Sequence, residues 1–280
     1  MNYTEVTIKV NEDYNEILIA ELLESGYDSF AETAEGLIAY IEAQLFDEKI
    51  LAEIRLKYKA EFEFEYFFNA LENKNWNEEW EKNFQPVTIQ DLCIVRASFH
   101  TPDKSYKYDI VINPKMSFGT GHHETTHMMI DHILQLDFRD KVVMDAGSGT
   151  GILSIMASKA GAKSVSAFDI EDWAYENSLE NIEQNICPNV YVSIGSIRTV
   201  KLPEISYDVI LANINKNVLL DEISVYSQFL KEGGQLLLSG FYEEDIEDID
   251  NTAKKCFLKM AFRNSKNKWA SIVYEKCKNG

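Results

Sequence analysis

Residues 141–155 read KVVMDAGSGTGILSI, and the fold turns on how they are divided. "KVVMDA" is a short apolar run of strand length, "GSGTG" breaks it, and "ILSIMASKAGA" continues with helical length. The same alternation follows downstream. "SVSAFDI" reads as a strand, "EDWAYENSLENIEQN" as a helix, "VYVSIG" and "YDVILANI" as strands. "KNVLLDEISVYSQFLKEGG" is then a helix and "QLLLSGF" a strand. Strands alternating with helices predict a parallel, doubly wound sheet. A helix over 243–255 leads into "CFLKMAF" and "KWASIVYE", joined by the polar turn "RNSKN". That closing hairpin would add one antiparallel strand to the sheet.

Upstream of this unit the character changes. "TEVTIKV" alternates as a strand does, and "NEDYNEILIAELLESG" has a candidate cap at Asn11, helical periodicity and a closing Gly26. "YDSFAETAEGLIAYIEA" suggests a hairpin, "DEKILAEIRLKY" a second helix and "EFEFEYFFNA" a last strand. The order β-α-β-β-α-β predicts a small ferredoxin-like α+β domain over 1–68. A linker helix over 69–86 follows, with Trp76, Trp80 and Phe84 down one face and Pro86 at its end. A second, larger domain is expected over 87–280, opening with strands and turns as far as Ile112.

Bulk properties narrow the function. The 280 residues carry a net charge of −19, which argues against a grip on nucleic-acid phosphates or anionic lipid. Residues 1–80 hold 19 acidic and 6 basic residues, so most of the imbalance sits there. Such a surface aids solubility or attracts a basic protein partner. The chain has no apolar run long enough to span a membrane and no signal-peptide pattern, and its four cysteines are scattered. A cytoplasmic protein with free thiols is the expectation.

In an open parallel sheet, ligands bind outside the carboxyl ends of the strands where strand order reverses. Asp145, Gly147, Gly149 and Gly151 stand at the end of the first strand of the regular unit, and the glycines permit positive φ and close approach. The spacing G-x-G-x-G differs from the dinucleotide fingerprint. An aspartate two residues before it would oppose a pyrophosphate but suit a cofactor carrying an amino group. Asp169 ends the second strand, 18 residues after Gly151, where a carboxylate can take both ribose hydroxyls. Together these residues describe a site for S-adenosylmethionine. Asn213, at the end of the fourth strand, borders the same crevice, and its side-chain oxygen can accept N–H bonds from an incoming amine.

"NPKMSFGTGHHETT", "DAGSGTGILSI", "FDIEDWA", "ANI" and "LSGF" resemble, in order and spacing, the ribosomal protein L11 methyltransferase family. "NWNEEWEKNFQP" is similar to that family's linker. The resemblance implies a Rossmann-like class I methyltransferase sheet with a C-terminal antiparallel hairpin, preceded by a ferredoxin-like domain that recognises the ribosomal protein. It also implies S-adenosylmethionine as cofactor, amines of a basic ribosomal protein as substrate, and a monomer. Thr126, Gly147, Asp169 and Asn213 would contact cofactor, with Phe118 and Gly119 in a loop closing over it. Asn213 would also orient the nucleophile. Two readings stand beside this one: a related methyltransferase acting on a glutamine amide or nucleobase, and a cofactor-binding module without catalysis. Glu124 and Asn215 depart from the family's usual residues.

His123-Glu124-Thr125-Thr126-His127 also spells H-E-x-x-H, which on a helix would suggest zinc. No Glu occurs between Glu124 and Glu171 to complete such a site, no G-x-x-H follows His127, and His132 falls off the required face. The expectation is a loop that enters a helix at Thr125–Thr126, with no metal.

Overall fold

The computed structural model describes residues 3–33, 35–71, 85–113 and 121–277. The chain divides into two compact units, Met1–Asn83 and Phe84–Gly280.

In the first unit, β1 (Tyr3–Lys9), α1 (Asn15–Glu24), β2 (Ser29–Thr33), β3 (Gly36–Glu42), α2 (Glu48–Tyr58) and β4 (Glu65–Leu71) follow in the ferredoxin-like order. The sheet runs β2-β3-β1-β4 with every pairing antiparallel. The alternation legible in "YTEVTIK" is real burial: Thr4, Val6 and Ile8 face inward. Leu18 and Leu22 of α1 and Leu51 and Ile54 of α2 complete the core. Asn11 does cap, its side chain accepting from Asp13 N at 3.1 Å, but it starts a 3-10 turn before α1 proper. β4 continues to Leu71, so the linker helix expected over 69–86 cannot begin at 69; most of that span lies outside the described residues.

The second unit opens with a three-stranded sheet, β5 (Val87–Ile89), β6 (Cys93–Arg96) and β7 (Tyr108–Val111). After α3 (Glu124–Gln135) come β8 (Val142–Ala146), α4 (Ile152–Lys159), β9 (Ser164–Asp169), α5 (Asp172–Gln184) and β10 (Val190–Ile194). Then follow β11 (Tyr207–Asn213), α6 (Lys216–Phe229), β12 (Leu230–Tyr242), α7 (Ile246–Lys255), β13 (Leu258–Lys266) and β14 (Trp269–Lys276). Their seven-stranded sheet has the order β10-β9-β8-β11-β12-β14-β13. Strands β10 to β12 pair in parallel, and β14 runs antiparallel to both its neighbours, as the closing hairpin predicts.

Period-2 geometry sorts the apolar runs onto two faces. Val143, Val209, Leu211 and Leu237 join the core formed with α3, α4 and α5. Met144, Ile210, Ala212, Leu236 and Leu238 join the one formed with α6 and α7. Because both faces are covered, the central strands are nearly continuous apolar sequence. Truncating Leu211, fully buried, to alanine would cost about 2–5 kcal/mol. Helix α6 stops at Phe229, earlier than its sequence suggested, and "LKEGG" enters the long strand β12.

Candidate active site

The glycine loop is sewn to the neighbouring strand. Gly147 N and Ser148 N both donate to Phe168 O, at 2.9 and 3.0 Å, and Gly151 N donates to Ser148 O at 2.8 Å. Gly147 has φ +71°, and a Cβ there would lie 2.3 Å from Ile214 Cγ2, so both conformation and space call for glycine. Gly149 N donates to Asp169 Oδ2 at 2.9 Å, while Asp169 Oδ1 accepts from Glu171 N at 3.2 Å. One N–H on each oxygen fixes the carboxylate at the end of β9. Each oxygen keeps acceptor capacity for a hydroxyl.

Where β8 gives way to β11 the chain has crossed the sheet, and a cavity of about 280 Å³ opens at the carboxyl ends of these strands. Gly147, Gly149, Asp169, Ile170, Ser196 and Asn213 line it. Its walls carry the carboxylates Asp169, Glu171 and Glu222, and among the described residues no lysine or arginine. That charge pattern fits a cationic ligand and opposes a polyphosphate. Ile170 and Trp173 offer exposed apolar surface to a flat base.

Asp145 is fully buried and does not belong to that lining. Its Oδ2 accepts from Ser154 Oγ at 2.6 Å, and its Oδ1 has no partner among the described residues. Burial pushes this carboxyl up to about 6, with the Ser154 bond pulling the other way. Asn213 Nδ2 donates to Thr126 Oγ1 at 3.4 Å, and Asn213 Oδ1, also buried, is left without a partner among the described residues. Two segments 87 positions apart thus meet at one side chain. Phe118 and Gly119 lie outside the described residues.

The H-E-x-x-H stretch is built as a helix start. His123 is the N-cap of α3, its Nδ1 accepting from Thr125 N at 3.3 Å and meeting Thr125 Oγ1 at 2.8 Å. The His123 ring packs edge-on against Trp269, 4.7 Å between centroids. Glu124 Oε1 accepts from Asn267 Nδ2 at 2.8 Å, tying α3 to the β13–β14 turn. That bond holds the Glu124 carboxyl below its ordinary value. Asn215 caps α6, its Oδ1 accepting from Val218 N at 3.2 Å. Both departures from the family pattern therefore have local structural work.

Sequence reasoning missed Ile170, Ser196, Glu222 and Tyr226 among the cavity walls. Ile170 and Ser196 follow the ends of β9 and β10, positions that the fold itself marks. Glu222 accepts from Tyr226 O–H one helical turn away, and nothing in the pattern of α6 separates that pair from an ordinary packed face.

The family model described as "Ribosomal protein L11 methyltransferase (PrmA)" matches residues 2–277. A ribosomal protein L11 methyltransferase of Phocaeicola vulgatus is 41% identical over 279 residues, covering 98% of this chain and 99% of that protein. One from Chlorobaculum parvum is 34% identical, covering 98% and 96%. A crystal structure of ribosomal protein L11 methylase from Lactobacillus delbrueckii subsp. bulgaricus superimposes with a TM-score of 0.64 at 25% identity, over 70% of this chain and 100% of that one. This chain belongs to the ribosomal protein L11 methyltransferase family.

Proposed function

We propose that this protein transfers methyl groups from S-adenosylmethionine to amines of ribosomal protein L11, with Asn213 orienting the attacking nitrogen. The observation that carries the reading is Asn213, which lines a cavity bounded by Asp169 and the glycine loop and whose buried Oδ1 has no partner among the described residues. When bound, S-adenosylmethionine would supply a methyl carried on a sulfonium, with a neutral thioether as the leaving group. The leaving group is already good, so the protein's part is alignment and exclusion of water. Asp169 would hold the ribose hydroxyls, Gly147 and Gly149 would let the backbone lie close, and the Asn213 oxygen would take an N–H of the amine.

The amine must be neutral to attack. A lysine with a pKa near 10.4 is uncharged less than about once in a thousand at pH 7, whereas an α-amine near 7.7–8.0 is far readier. Burial beside Asn213 lowers the pKa by desolvation, and the proton lost goes to water. No strong general base is required, and Asn213 cannot be one.

Residues 1–68 are read as the recognition domain for this basic substrate, in keeping with the acidic excess of residues 1–80. We read the enzyme as a cytoplasmic monomer that engages neither nucleic acid nor membrane directly; no described helix is long and apolar enough to cross a bilayer. The test is transfer of tritiated methyl from S-adenosylmethionine to purified L11. Label on the protein by the full chain supports the reading, and binding of cofactor without any transfer refutes it. A chain beginning at Phe84 should bind cofactor but label L11 far more slowly. Equal kcat/KM for that truncated chain would reduce the acidic unit to a solubility feature.

A further inference from the structure

Of the carboxylates that line the cavity, Glu222 is the buried one. Asp169 is half-buried and tied to Gly149 N and Glu171 N, and Glu171 is exposed at the N-cap of α5. Glu222, within α6, is only 8% exposed, and the transfer step described above gives it no part. Its carboxylate accepts from Tyr226 O–H one helical turn further on. Tyr226 is fully buried, and burial together with the Glu222 bond raises its phenol, which therefore stays a donor. Arg198, whose charge reaches Glu222, is itself bonded to Asp221 at 2.7 Å. Among the described residues no lysine or arginine lines the cavity. A carboxylate buried in this way is costly unless donors meet it, and a ligand in the cavity can bring one.

Place in the fold says which donor. The strand order β10-β9-β8-β11 sets Asn213 at one side of the cavity, the glycine loop next, Asp169 beyond it and Ser196 last. With the reacting carbon at Asn213 and the ribose at Asp169, the base is left the side of Ile170 and Ser196, toward the α6 face. Phe168 and Tyr226 belong to the core on that face. Ser196 is folded into its own turn, its N and Oγ meeting Thr199 Oγ1 at 3.0 and 3.3 Å. Glu222 remains as the buried acceptor there.

We propose that Glu222, held by Tyr226, accepts an N–H of the cofactor's adenine 6-amino group and so selects adenine over a base carrying oxygen at that position. The inference rests on the S-adenosylmethionine reading above. The charges of that cofactor lie at its methionine end; the base is neutral, and its amino group is its N–H donor. An oxygen in that place would set one acceptor against another in a buried site.

The test is calorimetry with S-adenosylhomocysteine and S-inosylhomocysteine, the same thioether with oxygen in place of the 6-amino group. Wild type, Glu222→Gln and Tyr226→Phe are compared, each with native circular dichroism. Wild type should bind the adenosyl compound about 10- to 100-fold more tightly, the worth of one hydrogen bond to a charged group. In Glu222→Gln the Tyr226 hydroxyl keeps the amide oxygen and the amide N–H faces the base, so the preference should shrink to about threefold or less. Tyr226→Phe keeps the carboxylate but frees it, and its preference should fall between the other two. A Glu222 that only packs would weaken both compounds alike. An unchanged ratio in Glu222→Gln, or equal affinities in wild type, would overturn the proposal. Folded wild type that binds neither compound would instead refute the cofactor reading, and the proposal with it.

Discussion

Asn213 Nδ2 donates to Thr126 Oγ1 across 3.4 Å, and that bond decides which way the Asn213 oxygen faces. Thr126 is fully buried in the first turn of α3, so it acts as a fixed acceptor. Asn213 lines the cavity, and its oxygen is left as a buried acceptor without a partner among the described residues. We predict that Asn213→Ala lowers kcat for methyl transfer about a hundredfold, the scale of a misplaced reacting group, with little change in cofactor Kd. Thr126→Val should show a smaller loss of the same kind. Single-turnover transfer with calorimetry separates the two quantities. A variant whose loss lies wholly in cofactor affinity would remove Asn213 from the transfer step.

Asp169 is tied to Gly149 N and Glu171 N at the place where a ribose would lie. Asp169→Ala should weaken S-adenosylmethionine binding by about 1.5–3 kcal/mol, the usual worth of hydrogen bonds to a charged group. Calorimetry on a variant with native circular dichroism is the measurement. Unaltered affinity would mean that the carboxylate only braces the loop.

Asp145 gives a prediction in pH. Its carboxyl stands near 6 in the folded protein against an ordinary 3.8, so between about pH 4 and 6 the folded chain holds a proton that the unfolded chain has released. Stability contributed by this group therefore falls as pH rises through that window and is level above it, by about 3 kcal/mol in all. His132, pushed down to about 4 by burial, works in the opposite sense over the same range. The difference between Asp145→Asn and wild type isolates the aspartate. The variant should gain stability relative to wild type from pH 4 to 6, as read from the two thermal midpoints. A difference independent of pH would show that Asp145 stays charged throughout.

Gly240 and Gly147 clamp Ile214 with unequal tolerance. At Gly240, with φ +96°, a Cβ would strike the Ile214 backbone at 2.2 and 2.7 Å; at Gly147 it would meet only the Cγ2 of that side chain. Both alanines incur left-handed strain of about 1–2 kcal/mol, but only Gly240→Ala must also displace the backbone next to Asn213. Its thermal midpoint and its transfer rate should both fall further than those of Gly147→Ala. The reverse ranking would place the rigid contact on the other side of Ile214.

What the sequence disclosed follows from periodicity and loop chemistry. "KVVMDAGSGTG" announced its strand and turn because buried parallel strands are continuous apolar runs and because glycine adopts the positive φ values of Gly147, Gly149 and Gly151 without a steric penalty. Asp169 was legible from its place at a strand end. The Asn213–Thr126 bond was not, because it joins positions that only the fold brings together. Asn215 looked like a departure and is a helix cap, while Glu124 looked like half of a metal motif and holds the turn at Asn267. Cavity walls such as Glu222 and Tyr226 were hidden within an ordinary amphipathic helix. The end of α6 was misplaced because Leu230 already pairs with Tyr207 of β11, the ladder resuming at Gln235 after an irregularity.

The central claim is methylation of L11 amines with S-adenosylmethionine as donor. Its most direct measurement is site-resolved mass spectrometry of purified ribosomal protein L11 incubated with this enzyme and the cofactor. We predict mass gains of whole methyl groups confined to lysine side chains or the N-terminal amine, abolished in Asn213→Ala at matched times. Methyl groups on a glutamine amide, or an L11 that stays unmodified while the enzyme binds cofactor, would contradict it.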